Sequence, residues 1–434
     1  MKKIIIFLLL LLTQLLSNNS FDLYKMSENN KGPTLLIFAG IHGNEPGGYF
    51  AASILATHYK ISKGSLWVVP NTNKKSIVKF KRGINGDMNR KFAVISKKDK
   101  DTQVIADIKK LITSKDVDLV LNLHDGHGFF REKYKNTIFN PGAWGQTCVI
   151  DQIKLDHNSS YMDMGCIAQK VSNKLNQHLL QNHHGFNVRN TQTKKKNNEM
   201  IHSLTYFSIN HNKPAFAIET SKELKTTAQK VYYQLRAIEA FMQIMGIKYQ
   251  RDFELDSQNV ANITKSNGNI VINNNISLNL DGLRKNLRYI PLQSNKNALY
   301  FSHPLGVARE YKNFIDLYIG HKKISRLQKA SFKMKKCGEP IEATIDGITK
   351  SIHLPSEVMI IDDIVFKAPK GYRLNVIGFT DPRYKNEMGI KITSSSLIKR
   401  FAINKEKSKF RAEFYKDDTF CGMVILNYVD RNKE

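Results

Sequence analysis

His42 and Glu45, a histidine and a glutamate three residues apart, form the pair in this chain best suited to bind a metal ion. They lie in segment 38–48 (FAGIHGNEPGG), after an apolar run that predicts a strand. Small, turn-forming residues let the backbone fold tightly there, so that both side chains converge on one point. Imidazole nitrogen and carboxylate oxygen both bind zinc, and a catalytic zinc usually has three protein ligands and a water. The pair therefore predicts a third ligand, with a structural histidine beside an unrelated surface glutamate as the alternative.

The third ligand is expected at the end of the apolar segment 117–124 (VDLVLNLH). This segment predicts a buried strand ending in His124, and open α/β sheets bind ligands at the carboxyl ends of their strands. His127 is the competing candidate. We favour His124 over His127 because it follows the strand directly. A solvent-facing loop histidine that binds no metal is the alternative.

Two arginines lie between these ligands, in segment 81–92 (KRGINGDMNRKF). The planar guanidinium group of Arg90 can bind a carboxylate through two hydrogen bonds. Arg82 could stabilise the charge that develops on a carbonyl oxygen. The alternative is that both are ordinary surface cations of a very basic protein.

Glu219 ends another short apolar segment, 214–219 (PAFAIE). A carboxylate is costly to bury unless it has a partner or a function. Beside a zinc ion and its attacking water, Glu219 could accept a proton and later pass it to the leaving amine. A glutamate in a structural ion pair is the alternative.

Short apolar runs alternate with amphipathic segments between about residues 34 and 246, which indicates an α/β domain with a mainly parallel sheet covered on both faces. Beyond residue 249, apolar runs bounded by Gly, Pro, Asn and Asp indicate small all-β domains. The pattern predicts helices at 47–59, 102–114, 164–180 and 227–245, and strands at 34–40, 65–70, 117–124, 215–219, 268–276, 298–301, 341–348, 358–366 and 422–428.

The first twenty residues are typical of a secretory signal peptide, because Lys2 and Lys3 precede the apolar run 4–12 and a small polar segment follows. An uncleaved N-terminal anchor is the alternative. Either way the folded part is expected outside the cytoplasm, without a later membrane span.

The length of the remaining chain suggests two or three domains. We expect a signal peptide (1–20), an α/β domain (21–250) and two β-rich domains (251–335 and 336–434).

The net charge of +28 suggests an anionic partner. Export argues against a nucleic acid and favours cell-wall material, which is rich in free carboxylates. Compositional drift towards Lys, Asn and Ile explains the charge equally well.

The four cysteines lie far apart and form no C-x-x-C pair, which excludes a zinc ribbon or a redox motif of that spacing. In an oxidising compartment, Cys148 with Cys166 or Cys337 with Cys421 could form a disulfide.

The order of these residues resembles that of the zinc carboxypeptidases of the funnelin type, the M14 metallocarboxypeptidases, over residues 33–246. The resemblance implies one zinc ion per chain. It also implies that His42, Glu45 and His124 bind the zinc and that Glu219 is the general base and acid. By the same resemblance, Asn89 and Arg90 hold the terminal carboxylate of the substrate, and Arg82 polarises the scissile carbonyl. Tyr206 is the nearest candidate for the mobile tyrosine of the family.

The predicted signal peptide, α/β domain and two β-rich domains together resemble one subgroup, the periplasmic peptidoglycan DL-carboxypeptidases that set helical cell shape in curved and spiral epsilon-proteobacteria. This implies a periplasmic enzyme that trims a muramyl tripeptide to a dipeptide and releases meso-diaminopimelate. Peptidoglycan stem peptides would be its partners, and the β-rich domains could contact other cell-shape proteins.

Two rival functions remain. The same motifs, including Asp-x-Asn-Arg at 87–90, also resemble the succinylglutamate desuccinylases and aspartoacylases. Those enzymes act on small cytoplasmic metabolites, so the export signal and the β-rich domains argue against them. A non-catalytic wall-binding or scaffolding protein is the rival from a different class, and the complete set of ligands with Glu219 argues against it.

Overall fold

The structure is a computed structural model that describes residues 20–28, 32–156, 160–196, 199–367 and 369–430. The predicted signal peptide lies outside these residues, apart from Ser20. Among the helices in the described ranges, none is long and apolar enough to cross a membrane.

Strands and helices alternate in the first 265 residues. The helices are α1 Pro46–His58, α2 Lys74–Val78, α3 Thr102–Ile112, α4 Met164–Asn176, α5 Thr193–Lys196, α6 Leu204–Asn210, α7 Thr227–Met245 and α8 Ser257–Lys265, with short 3-10 helices at Met88–Arg90, Asn182–His184 and Met200–His202. The strands are β1 Tyr24–Met26, β2 Thr34–Ala39, β3 Tyr59–Lys63, β4 Ser65–Val69, β5 Leu119–Gly126, β6 Phe129–Phe130, β7 Phe139–Asn140, β8 Thr147–Ile150, β9 Asn187–Asn190, β10 Ala215–Ser221 and β11 Lys248–Arg251.

A seven-stranded mixed sheet, in the order β1-β4-β2-β5-β10-β8-β9, carries the residues predicted to be functional. Its four central strands, β4, β2, β5 and β10, run parallel, whereas β1 and β8 are antiparallel to their neighbours β4 and β10. Strands β2, β4 and β5 are buried along their whole length, and such nearly continuous apolar runs are typical of a sheet covered on both faces. Helices α1, α4, α6 and α7 flank the sheet. The predicted fold class, a carboxypeptidase-like mixed sheet flanked by helices, is confirmed.

The rest of the described chain is almost entirely β-structure, which confirms the predicted β-rich C-terminal part. Two sheets, β13-β12-β15 and β14-β18-β17-β16, come first, followed by β19-β27-β26-β24, with β22 paired to β27, and β21-β20-β23-β25. The strands are β12 Asn269–Ile272, β13 Ile276–Asn279, β14 Asn286–Leu292, β15 Leu299–Phe301, β16 Gly306–Glu310, β17 Phe314–Ile319, β18 Lys322–Ser331, β19 Lys333–Met334, β20 Ile341–Ile345, β21 Ile348–Ile352, β22 Ser356–Ile360, β23 Asp363–Lys367, β24 Tyr372–Val376, β25 Ile392–Thr393, β26 Lys409–Lys416 and β27 Thr419–Tyr428.

Three segments predicted as single strands, 268–276, 341–348 and 358–366, each contain a turn instead. Asn273 and Asn274 have φ angles of 53° and 59°, and Asp346 has a φ of 50°. Asn, Asp and Gly adopt this left-handed conformation at the lowest cost, and it is the conformation of two-residue hairpin turns. The prediction of continuous strands was wrong because a short polar interruption of an apolar run fits either a continuous strand or a hairpin turn, and here it forms the turn.

The cores of the β-rich regions differ in their connection to the α/β part. Buried apolar residues of the α/β part and of the strands up to β18 form one continuous core, whereas most buried apolar residues between 341 and 428 form a second core. The first core also includes a few residues of the C-terminal part, namely Ile403, Tyr415, Phe420, Met423 and Ile425. Cys337 and Cys421 form a disulfide, while Cys148 and Cys166 are free thiols. The predicted domain limits at 250 and 335 remain a prediction.

Candidate active site

A tight loop between β2 and α1 places His42 and Glu45. Gly43 lies in this loop, and a Cβ atom added to it would be 2.1 Å from the carbonyl carbon of Ser76, so only glycine fits against α2. Helix α1 begins at Pro46, directly after Glu45. Proline is favoured at the first position of a helix, because an N–H group there would have no hydrogen-bond partner within the helix and proline has none. The loop thus ends in a rigid helix that fixes the backbone of Glu45.

The parallel neighbours β5 and β10 place His124 and Glu219 side by side. In the register of the two strands, Glu219 is opposite His124. On the other side of β5, Ala39 at the end of β2 is opposite Leu123, so the loop that carries His42 starts at the same sheet edge. The structure therefore brings together residues separated by more than 170 positions in the chain.

His42, Glu45 and His124 form a buried cluster, and one potential ligand atom from each lies within 4.8 Å of the others. The Nδ1 atom of His42 is 3.0 Å from one carboxylate oxygen of Glu45, and Nδ1 of His124 is 2.8 Å from the other. Two imidazoles and a carboxylate around one point are a donor set for a divalent metal ion. These residues fit the metal implied by the sequence.

Asp87 orients His42 from behind the cluster. Its carboxylate oxygen lies 2.8 Å from Nε2 of His42 and also accepts a hydrogen bond from the N–H of Asn89. Metal-binding histidines usually donate their second ring N–H to such a carboxylate, which leaves the other nitrogen free for the metal. We did not assign Asp87 a role from the sequence, although the Asp-x-Asn-Arg stretch contains it.

The electrostatics of the cluster keep Glu45 ionised. Burial raises the pKa of its carboxyl, but the charge of His42 and the hydrogen bond from His124 outweigh burial and hold this pKa well below its usual range. Burial lowers the pKa of His42, yet the charge of Glu45 and the hydrogen bond to Asp87 outweigh burial and raise it. Burial lowers the pKa of His124. Glu45 is therefore a carboxylate in position to bind a cation.

Glu219 has the opposite electrostatic environment. Burial, and then the negative charges of Glu45 and Asp125, raise the pKa of its carboxyl well above the usual range, against the weaker effects of Lys222 and Arg82. A carboxyl with a raised pKa binds a proton more readily than an ordinary glutamate, which suits both proton uptake and proton return. The pair Glu45 and Glu219 thus combines one permanently ionised carboxylate with one that can exchange a proton.

Asp125 is a second acidic residue that the sequence did not reveal as part of the site. It accepts hydrogen bonds from the N–H of Gly47 at 3.0 Å and from the hydroxyl of Thr220 at 2.6 Å. Burial raises its pKa to about 6. Because Gly47 follows Glu45 closely and Thr220 follows Glu219 directly, Asp125 ties the two carboxylate-bearing segments to the end of β5.

Arg82 and Lys222 bring positive charge to the cluster. The Nη1 atom of Arg82 is 3.3 Å from Glu45, and its Nε donates to Asp87 at 2.9 Å. The Nζ atom of Lys222 lies 3.7 Å from Glu45. The Arg82 side chain remains 46% exposed, so it can reach a molecule bound over the cluster.

Three predicted substrate-binding residues lie around the start of α6. Asn89 is buried, and its side-chain oxygen accepts the N–H of Leu204 at 2.9 Å. Arg90 donates to the backbone oxygen of Asn89 at 3.2 Å. Tyr206 is partly exposed on α6, and Ser203 caps this helix by accepting the N–H of Tyr206. Their roles towards a substrate remain predictions. His127, the competitor of His124, is exposed.

Comparison with known proteins reveals clear similarities. A family model described as "Carboxypeptidase controlling helical cell shape catalytic" matches residues 1–265, and one described as "C-terminal domain of metallo-carboxypeptidase" matches residues 334–429. The apo and tripeptide-bound crystal structures of the cell shape determinant Csd4 from Helicobacter pylori each have 33% identity and a TM-score of 0.87, covering 94% of this chain and 100% of theirs. The mDAP-bound form of Helicobacter pylori Csd4, a D,L-carboxypeptidase, has 34% identity and a TM-score of 0.87, covering 93% of this chain and 100% of that one. No curated protein sequence matches the chain.

Proposed function

The chain belongs to the Peptidase M99 family of carboxypeptidases that control helical cell shape, and from this premise we propose that it is a zinc-dependent peptidoglycan D,L-carboxypeptidase. Its substrate would be a muramyl tripeptide, which it trims to a dipeptide with release of meso-diaminopimelate. The observation that carries the proposal is the buried cluster of His42, Glu45 and His124 beside Glu219. The similarity to Csd4, solved with a tripeptide and with mDAP, supports the substrate class.

The metal proposed is one zinc ion per chain. Two imidazole nitrogens and one carboxylate, with a remaining open position, are a ligand set of catalytic zinc in peptidases. When bound, zinc polarises the scissile carbonyl and makes the attacking water more acidic. Asp87 would fix the His42 ring so that its Nδ1 faces the ion.

The protein residues would move the protons and anchor the substrate. Glu219 takes the proton of the attacking water and returns it to the amine of the leaving diaminopimelate. Arg82 stabilises the negative charge on the carbonyl oxygen, since its guanidinium group already lies beside Glu45. Arg90 and Asn89 hold the terminal carboxylate, and Tyr206 closes over it. This arrangement would select the last residue of a peptide chain.

The proposed place of action is the periplasm, where peptidoglycan is accessible. The net charge of +28 favours contact with a polymer rich in carboxylates. The two β-rich domains, 251–335 and 336–434, would then be available for contacts with other cell-shape proteins.

Mass spectrometry of purified muropeptides incubated with the protein tests this function. We expect tripeptides to lose one diaminopimelate, a chelator to abolish the loss, and added zinc to restore it. An unchanged muropeptide pool, with zinc shown to be bound, would exclude the peptidoglycan assignment. Succinylated and acetylated amino acids assayed in parallel test the desuccinylase and aspartoacylase alternative.

We expect the Asp87→Asn variant to bind zinc about 10-fold to 100-fold more weakly than the wild type, which is the usual cost of losing a carboxylate behind a metal-binding histidine. Asparagine keeps the shape of the side chain but not the charge that orients His42. Competition with a chromophoric chelator measures the affinity. Asp99→Asn is the matched control, because Asp99 pairs with Lys91 and does not contact the cluster. Equal zinc affinity in the wild type and Asp87→Asn would contradict the role of Asp87.

A further inference from the structure

A hairpin from the first β-rich region packs directly on the α/β part. Strands β17 and β18 are joined by a two-residue turn, Gly320 and His321. Gly320 has a φ of +56°, and an added Cβ atom would lie 3.2 Å from the Tyr49 ring and 3.5 Å from the Phe50 ring. Both the backbone conformation and the close approach favour glycine. The turn therefore packs closely against α1.

His321 contacts two separate segments of the α/β part from this turn. The Tyr49 hydroxyl lies 2.7 Å from Nδ1 of His321, and the ring centroids of Phe80 and His321 are 4.5 Å apart. Burial, and then the charge of Lys322, lower the pKa of His321 to about 4, so the ring is neutral near pH 7. A neutral ring can accept a hydrogen bond from the Tyr49 hydroxyl at Nδ1 while it packs against Phe80 at an interplanar angle of 35°.

Both contacted segments lead into the active site within a few residues. Tyr49 lies in the first turn of α1, four residues after Glu45. Phe80 precedes Arg82 by two residues and has a φ of +50°, an unfavourable backbone conformation for a bulky side chain. Such a conformation persists only where the surroundings hold it. The packing of the His321 ring against Phe80 supplies part of that support.

Backbone hydrogen bonds restrict the movement of the chain between Phe80 and the active site. The N–H of Lys81 donates to the oxygen of Ser76, and the oxygen of Arg82 accepts the N–H of Gly43 in the loop that carries His42. A displacement of Phe80 would consequently move Arg82, whose guanidinium group contacts Glu45 and Asp87.

We propose that His321 is a positioning residue for catalysis, which fixes Arg82 relative to Glu45 by holding Phe80 and Tyr49. The β17–β18 turn of the first β-rich region would then help to position a catalytic residue of the α/β part. This inference rests on the proposed function, in which Arg82 stabilises the charge on the carbonyl oxygen.

Kinetics of single and double variants test the proposal on the full-length zinc-loaded protein with muramyl tripeptide. We expect His321→Ala and Phe80→Ala each to lower kcat/KM about tenfold, a usual effect of misplacing one catalytic group. Because both act through Arg82, His321→Ala should have no further effect in an Arg82→Ala background. A merely structural role would lower kcat/KM equally in both backgrounds. The His321→Phe variant, which keeps an aromatic ring against Phe80, should retain more activity than His321→Ala.

His303→Ala is the matched control, because His303 lies at the same interface but contacts the ring of Phe50 instead of the rings of Tyr49 and Phe80. We expect its kcat/KM to remain that of the wild type. Hydrogen–deuterium exchange of residues 79–83 gives a readout independent of activity, and exchange should accelerate in His321→Ala but not in His303→Ala.

The outcomes separate the inference from the proposed function. An inactive wild-type protein with bound zinc would refute the function, while exchange at 79–83 would still test the contact. An active wild type with unchanged kcat/KM in His321→Ala and Phe80→Ala would overturn the inference alone. Should His321→Ala not fold, Phe80→Ala decides the question, since the Phe80 side chain is half exposed and its loss removes little from the core.

Discussion

The Glu219→Gln variant is expected to hydrolyse muramyl tripeptide about 10³-fold more slowly than the wild type, within the range that a positioned general base contributes. Glutamine preserves the size of the side chain, but its amide neither accepts the proton of the attacking water nor returns one to the leaving amine. Mass spectrometry of the released diaminopimelate over time measures the rate. The loss should appear in kcat rather than in KM, because the proton moves only in the transition state.

The same substitution should leave the fold and the metal site intact. The pKa of Glu219 is raised by burial and by the charges of Glu45 and Asp125, which means that its ionised form is unfavourable in the folded protein. A neutral glutamine removes this repulsion, so we expect a Tm at or above that of the wild type and an unchanged zinc content.

Glu223→Gln is the matched control for Glu219→Gln, since Glu223 is exposed and lies four residues further along the chain. Its rate should equal that of the wild type. Full activity of Glu219→Gln would show that another group moves the proton, and it would favour the alternative in which Glu219 has only a structural role. Loss of zinc together with loss of activity would assign Glu219 to the metal site instead.

The predictable part of the site is the part that depends on local chain geometry. His42 and Glu45 lie three residues apart after a strand, so their convergence follows from the sequence alone. His124 and Glu219 each follow an apolar segment, and the structure places those segments in neighbouring parallel strands with the two residues in register. Strand ends of one parallel sheet share an edge, which is why such a simple pattern could locate both.

The unpredicted part depends on contacts between distant segments. Asp125 directly follows the predicted ligand His124, yet its role is to link Gly47 and Thr220, which no spacing in the sequence reveals. The contact of His321 with Phe80 joins residues 241 positions apart in the chain and depends on how the β17–β18 turn packs. The turns at Asn273 and Asp346 depend on local sequence, but one or two polar residues within an apolar run fit either a strand or a hairpin turn.

Replacement of His124 by alanine is expected to abolish zinc binding and to reduce tripeptide hydrolysis to background. His124 supplies one of three proposed ligands, and its Nδ1 atom is 2.8 Å from Glu45, so its loss removes both a donor and a partner of the ionised carboxylate. The expected zinc content falls from one per chain to none by elemental analysis. His127→Ala is the matched control, because His127 is exposed three residues away and should leave both zinc content and rate unchanged.

Thermal unfolding distinguishes loss of the ligand from simple damage to the core. His124 is buried, so His124→Ala lowers the Tm of the metal-free protein by leaving a cavity and removing one hydrogen-bond partner of Glu45. The decisive quantity is therefore the increase in Tm on adding zinc, which reflects a stabilisation of about 2.7 kcal/mol when free zinc is 100 times its Kd. We expect this increase in the wild type and in His127→Ala but not in His124→Ala. The reverse pattern would move the third ligand to His127 and refute the cluster as the catalytic metal site.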